Sequence, residues 1–127
     1  LSLDKKNEQT TINLALHFLK QNKISEMDDL LDDVSISEAN LSLIQAFRFS
    51  KQGFFDRAIA IYENRVEENP RDAVARYYLA RSKFLNDQND PDVGHLLRET
   101  MELRPKGSYL YQLAYEQSLY RKNLGYD

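Results

Sequence analysis

The chain contains no cysteine, only three prolines, four glycines and two histidines in 127 residues. Without cysteine there is no disulfide, no catalytic thiol and no thiolate metal site, while reducing and oxidising compartments both stay open. His17 and His95 lie far apart in sequence, with no acid-flanked or metal-ligand spacing around either, so neither marks a metal centre. Gly53, Gly94, Gly107 and Gly125 stand singly, which excludes a glycine-rich phosphate loop, and no nucleophile elbow occurs. No enzyme activity, cofactor or metal is therefore expected. Apolar runs long enough to cross a bilayer are also missing, so this segment is not expected to insert into a membrane. The formal charge is only -3, and Lys and Arg are scattered rather than clustered, which argues against nucleic acid as a partner.

What is present is the composition of an ordinary globular domain. Hydrophobic residues at 42% and charged residues at 29%, in a chain long enough to bury about two thirds of its unfolded surface, allow a self-sufficient core. The sequence opens at Leu1 with no Met and no charged-then-apolar leader, and so reads as a piece of a longer or processed protein.

The scarce prolines and glycines act as punctuation. Pro70 and Pro105 each close an apolar-periodic stretch, in Glu68-Asn69-Pro70-Arg71 and Leu103-Arg104-Pro105-Lys106, and lie 35 residues apart. Ala46, Ala80 and Ala114 follow one another at intervals of 34, and Leu79-Ala80 returns as Leu113-Ala114. A period of 34 is that of a helix-turn-helix repeat.

Between these marks the apolar residues keep a helical period. Leu43, Ala46, Phe47 and Phe49 lie on one helix, and Ala58, Ile59, Ile61, Tyr62 and Val66 on the next. Gly53 separates the two because it accepts a left-handed conformation cheaply, and Pro70 stops the second. The same grammar runs from Ala73 to Leu85 and from Val93 to Leu103, either side of the irregular loop 86–92. A shorter hairpin with a turn near Asn22 precedes them, and one further helix follows. The expected organisation is a single domain over 1–127, all-α, with hairpins near 8–34, 39–69 and 73–104 and a final helix over 108–122.

These residues resemble the tetratricopeptide repeat. Its pattern asks for a small residue and an aromatic on the first helix, then Ala, an aromatic and a closing Pro around the second. The middle repeat supplies Ala46, Phe49, Gly53, Ala58, Tyr62 and Pro70 at matching offsets, although Ser42 and Gln45 replace the pattern's Trp and Leu. The third repeat matches at Leu79, Ala80 and Pro105 but departs at Lys83 and needs a one-residue insertion. The first keeps Leu14, Ala15, Phe18 and Leu31 with a shortened exit, and Ala114 carries the pattern into the last helix. The resemblance implies a right-handed superhelix, an α-solenoid of about seven antiparallel helices. In it the alanines let backbones approach closely while Phe18, Phe49 and Tyr62 fill the space beside them.

A narrower resemblance covers nearly the whole chain. Gly53 to Tyr62 has the form Gly-x-x-x-x-Ala-Ile-x-x-Tyr, followed by Pro70, Arg76 and Leu79-Ala80, then Phe84, Asn86, Gln88 and Asn89, and finally Leu119 to Lys122 as Leu-Tyr-Arg-Lys. In that order the segments are similar to the periplasmic repeat domain of surface lipoprotein assembly modifiers, which precedes an outer-membrane β-barrel. The resemblance implies a role in surface export of lipoproteins, with an exported surface lipoprotein as client. It implies a place on the periplasmic side of a bacterial outer membrane, the cytoplasm being the alternative.

In such solenoids the first helix of each repeat lines the concave surface. Mapping the repeats onto each other puts Ile12, Leu16 and Leu19 on that face, then Leu43, Phe47 and Lys51, then Tyr77, Arg81 and Phe84, then Tyr111 and Tyr115. Aromatic and Arg side chains most often anchor interfaces, and a mostly apolar groove suits an amphipathic helix or an extended peptide. The alternative is that a neighbouring helix of the same protein fills it, making the domain a scaffold. The Lys and Asn array by which some such domains clamp a C-terminal carboxylate is missing, with Leu43 and Phe47 in the comparable region. The Tyr-rich end, Tyr109, Tyr111, Tyr115, Tyr120 and Tyr126, reads either as a recognition surface or as a cap on the last hydrophobic layer. The acidic cluster Glu26, Asp28, Asp29, Asp32 and Asp33 lacks calcium-loop spacing and reads as a solvated helix face.

Overall fold

The computed structural model describes residues 5–126, with the side chains of Lys5 and Lys6 outside that description. Among the described residues it is all-helical, with seven helices and no strand. They are α1 (Lys5–Lys20), α2 (Ile24–Asp33), α3 (Glu38–Lys51), α4 (Phe55–Glu68), α5 (Ala73–Asn86), α6 (Val93–Glu102) and α7 (Tyr109–Asn123). Pro70 and Pro105 sit in the connectors after α4 and α6, where the missing N–H breaks no helical bond.

Local chemistry sets the helix ends. Ser37, Asp72 and Ser108 precede α3, α5 and α7, and each side chain accepts a hydrogen bond from the backbone N–H three residues on, at Asn40, Ala75 and Tyr111. Gly53, with φ of 85°, closes α3 in a paired turn. Its own N–H reaches the Ser50 carbonyl at 3.1 Å, and the Phe54 N–H reaches that of Phe49 at 2.8 Å. Asn22, with φ of 62°, ends α1 in the same way through Lys23 N–H to the Phe18 carbonyl at 2.7 Å. Asparagine tolerates this region better than other non-glycine residues.

Side-chain bridges fix how the helices run. The Glu8 carboxylate, early in α1, accepts from the Ser37 N–H at 2.7 Å and from Asn40 Nδ2 at 2.9 Å at the start of α3. At the other end Lys51 Nζ reaches the Lys20 carbonyl at 3.5 Å, so α1 and α3 run parallel. Lys83 at the end of α5 pairs with Asp92 before α6 at 2.9 Å, and Arg76 near the start of α5 pairs with Glu99 near the end of α6. Those two helices are antiparallel. Arg65, late in α4, donates to the Ala39 carbonyl at 2.7 Å and to the Asp72 carboxylate at 3.0 Å, tying together one end each of α3, α4 and α5. The closest packing is between α1 and α2 and between successive helices from α3 to α7, and α1 also meets α3, as α5 meets α7.

Two apolar clusters fill the interior. The larger joins α3 to α7 through Ala46, Ala58, Tyr62, Tyr77, Leu79, Ala80, Phe84, Leu97 and Ala114, with Phe49 packed against it. The smaller holds the first hairpin to α3 through Ile12, Ala15, Leu19, Met27 and Ile44, with Phe18 and Phe47 against it. Ala15, Ala46, Ala58, Ala80 and Ala114 are completely buried, which is where a larger side chain would force the helices apart.

Candidate protein-binding groove

Three parallel segments open one face of the molecule. Leu16, Leu19 and Lys20 of α1, Phe47, Ser50 and Lys51 of α3, and Tyr78, Arg81, Ser82 and Leu85 of α5 line a cavity of about 450 Å³, with Tyr62 of α4 below them. The spacing repeats. Each of α1 and α3 contributes residues at i, i+3 and i+4, and α5 extends the series to i+7, which is one stripe of a helix.

The floor is aromatic. Phe47 meets Tyr78 edge-on with ring centroids 4.5 Å apart, and Tyr62 lies 6.1 Å from both rings. Ser50 and Ser82 hydroxyls face each other at 3.5 Å across the α3–α5 seam. Tyr62 is fully enclosed and its hydroxyl makes no hydrogen bond of good geometry, Ser50 acting on it only as a weak partner. Burial pushes its phenol well above the ordinary tyrosine range and the neighbouring Tyr78 adds to this, while Ser50 and the Arg81 cation oppose it. Ser50, Tyr62 and Arg81 all line the cavity. Burial also raises the Tyr78 phenol, with Tyr77 adding and Arg81 again opposing. The ionic groups of the lining are Lys20, Lys51 and Arg81, and no carboxylate is among them.

Of the residues expected on the concave face, Leu16, Leu19, Phe47, Lys51 and Arg81 meet in this cavity, Leu19 as a buried residue. Tyr77 and Phe84 do not: they are 3% and 5% exposed and belong to the larger core. The reason is helical register. Ala73, Tyr77, Ala80 and Phe84 form the stripe of α5 that α4, α6 and α7 cover, whereas Tyr78, Arg81, Ser82 and Leu85 form the stripe beside it. Leu43 packs half-buried against the larger core, and Ile12 is enclosed in the smaller one. Tyr111 is half-buried and Tyr115 is 46% exposed on α7, both outside the cavity lining.

The sequence reading passed over Lys20, Ser50, Tyr62, Tyr78, Ser82 and Leu85 as groove residues. Leu85 was within reach, since carrying Lys51 forward by one 34-residue period lands on it rather than on Phe84. Tyr78 carried no such signal, because its repeat counterpart is Ile44, a buried residue of the smaller core.

The remaining candidates sit apart from the groove. Asp28 of the acidic cluster pairs with Arg48 at 3.0 Å, and Glu26, Asp29, Asp32 and Asp33 are exposed on α2. His17 is exposed, and His95 lies 3.9 Å from Glu99 on the surface of α6. Among the described residues no three metal-ligating side chains converge, and no helix is long and apolar enough to cross a membrane. Comparison with protein-family models, curated proteins and solved structures gives no match.

Proposed function

We propose that this chain is a tetratricopeptide-type solenoid, a right-handed superhelix, that binds a client polypeptide without catalysing a reaction. The groove between α1, α3 and α5 is the binding surface. One observation carries the reading: three parallel helices line one open cavity over an aromatic floor, with Lys20, Lys51 and Arg81 exposed around it and Leu85 49% exposed at its edge. An interior of this chemistry left open is a place for an apolar side chain of a partner, and the parallel helices offer several such places in a row. The client class proposed is an exported surface lipoprotein, met at the periplasmic side of an outer membrane by a domain attached to a barrel. That part rests on the resemblance of the segment order alone.

The test is titration of the purified domain with surface-exported lipoproteins in partly unfolded form. Phe47→Ala combined with Leu85→Ala is expected to weaken binding by about tenfold or more while circular dichroism stays helical. Unchanged affinity in a folded double variant removes the groove assignment. Tyr77→Ala is not a fair probe, because it opens the core.

A second reading, a scaffold whose repeats pack against its own assembly, is favoured by α7. Tyr109 is 79% exposed, and Tyr115, Leu119 and Tyr120 are also exposed. Under that reading Tyr109→Ser with Tyr120→Ser leaves client titration intact and abolishes assembly of the full-length protein.

A further inference from the structure

Three cations converge on an apolar cavity in a chain that is acidic as a whole. Lys20, Lys51 and Arg81 come from three different helices, and none of them forms an ion pair with another described residue. Acidic residues outnumber basic ones, 20 to 17, so a lining with three cations and no carboxylate is a local reversal of charge. All three are exposed, so their attraction for an anion is the salt-screened kind, and it is their convergence on one opening that favours negative charge there. Beneath them the Ser50 and Ser82 hydroxyls lie 3.5 Å apart. These groups can donate, and nothing in the described protein closes the set with an acceptor of opposite charge.

Resting on the groove reading above, we propose that the client segment seated here carries a side-chain carboxylate beside a large apolar side chain. The carboxylate sits among Lys20, Lys51 and Arg81. The apolar side chain lies on Phe47 and Tyr78. A polypeptide fits better than a small carboxylic acid because the open stripe outruns the cavity. One repeat beyond Arg81 and Leu85 stand Tyr115 and Leu119 on α7, 46% and 43% exposed. An acid within the chain is favoured over a chain terminus because the apolar stripe continues on both sides of the cations, from Leu16 to Leu85.

The experiment uses three fluorescent peptides of one length, capped at both ends so that no terminal charge contributes. One alternates Phe and Leu with Glu, the second has Gln in place of Glu, and the third has Lys. Anisotropy titration against the purified protein is expected to rank Glu above Gln by about tenfold, with no measurable binding of the Lys peptide. Raising salt narrows the gap between Glu and Gln. Arg81→Gln with Lys51→Gln, both exposed residues, should reduce the ratio of Glu-peptide to Gln-peptide affinity to about twofold. Equal affinity for Glu and Gln peptides overturns this inference and leaves the groove reading standing. Failure of all three to bind a protein shown to be folded overturns both.

Discussion

Tyr62 is the largest side chain that the core encloses completely, and its hydroxyl is enclosed with it. A buried donor so weakly partnered costs stability, so Tyr62→Phe should leave the fold unchanged or strengthen it by up to about 1 kcal/mol. Tyr62→Ala, which opens a cavity, should cost about 3–5 kcal/mol. Urea denaturation distinguishes the two. The same burial has a pH consequence. In the fold the phenols of Tyr62 and Tyr78 hold their protons more tightly than the ordinary value of 10.0. The unfolded chain therefore loses protons first as pH rises, and the stability these groups contribute is complete below pH 10.0 and declines above it. Tyr62→Phe should flatten part of that decline, and an unaltered slope would mean that Tyr62 does not take part.

Helix ends carry the second scale. Ser37 and Ser108 each cap a helix with a single hydroxyl, and Ser37→Ala should cost about 1 kcal/mol. Asp72 does more. Its carboxylate accepts the Ala75 N–H at 3.0 Å and the Arg65 guanidinium at 3.0 Å, and both partners of that ion pair are mostly shielded from water, with side chains 19% and 14% exposed. Asp72→Ala is expected to cost about 2–3 kcal/mol, and Asp72→Asn, which keeps the cap and loses the charge, should fall between. Thermal denaturation of the three variants gives the order, and equal losses for Asp72→Ala and Ser37→Ala would show that the Arg65 pair contributes nothing. Ser37, Asp72 and Ser108 were not singled out as caps, but Gly53, where a left-handed residue is wanted, and Pro70 and Pro105, each closing a helical stretch, were legible in the sequence. They could be read because each acts within a few residues of itself.

Across the whole molecule α3 faces two interiors at once. Ile44 and Phe47 belong with the first hairpin, while Leu43, Ala46 and Phe49 belong with the larger core. The first hairpin is otherwise tied down by the exposed bonds of Glu8 and Lys51 and by the partly exposed Arg48–Asp28 pair, interactions of small net value in water. It should therefore open at a lower free energy than the rest. Hydrogen exchange followed by mass spectrometry is expected to show α1 and α2 exchanging first, and α5, covered by α4, α6 and α7, exchanging last. Equal protection of α1 and α5 would mean that the two clusters melt as one. The groove lies on this seam, so a client bridging Leu16 and Arg81 would slow exchange in α1 more than in α6.

The sequence by itself determined the all-helical character, the turns at Asn22 and Gly53, and the alanines that the helix contacts require. Those properties follow from backbone preference and from small residues that recur at a 34-residue spacing. Only the tertiary structure decided that Tyr78 rather than Tyr77 faces the cavity. Adjacent residues on a helix point about 100° apart, and the pattern of apolar residues in α5 allows either to be covered. The packing of α4, α6 and α7 makes that choice, and the same packing gathers Lys20, Lys51 and Arg81 around one opening from three separate helices.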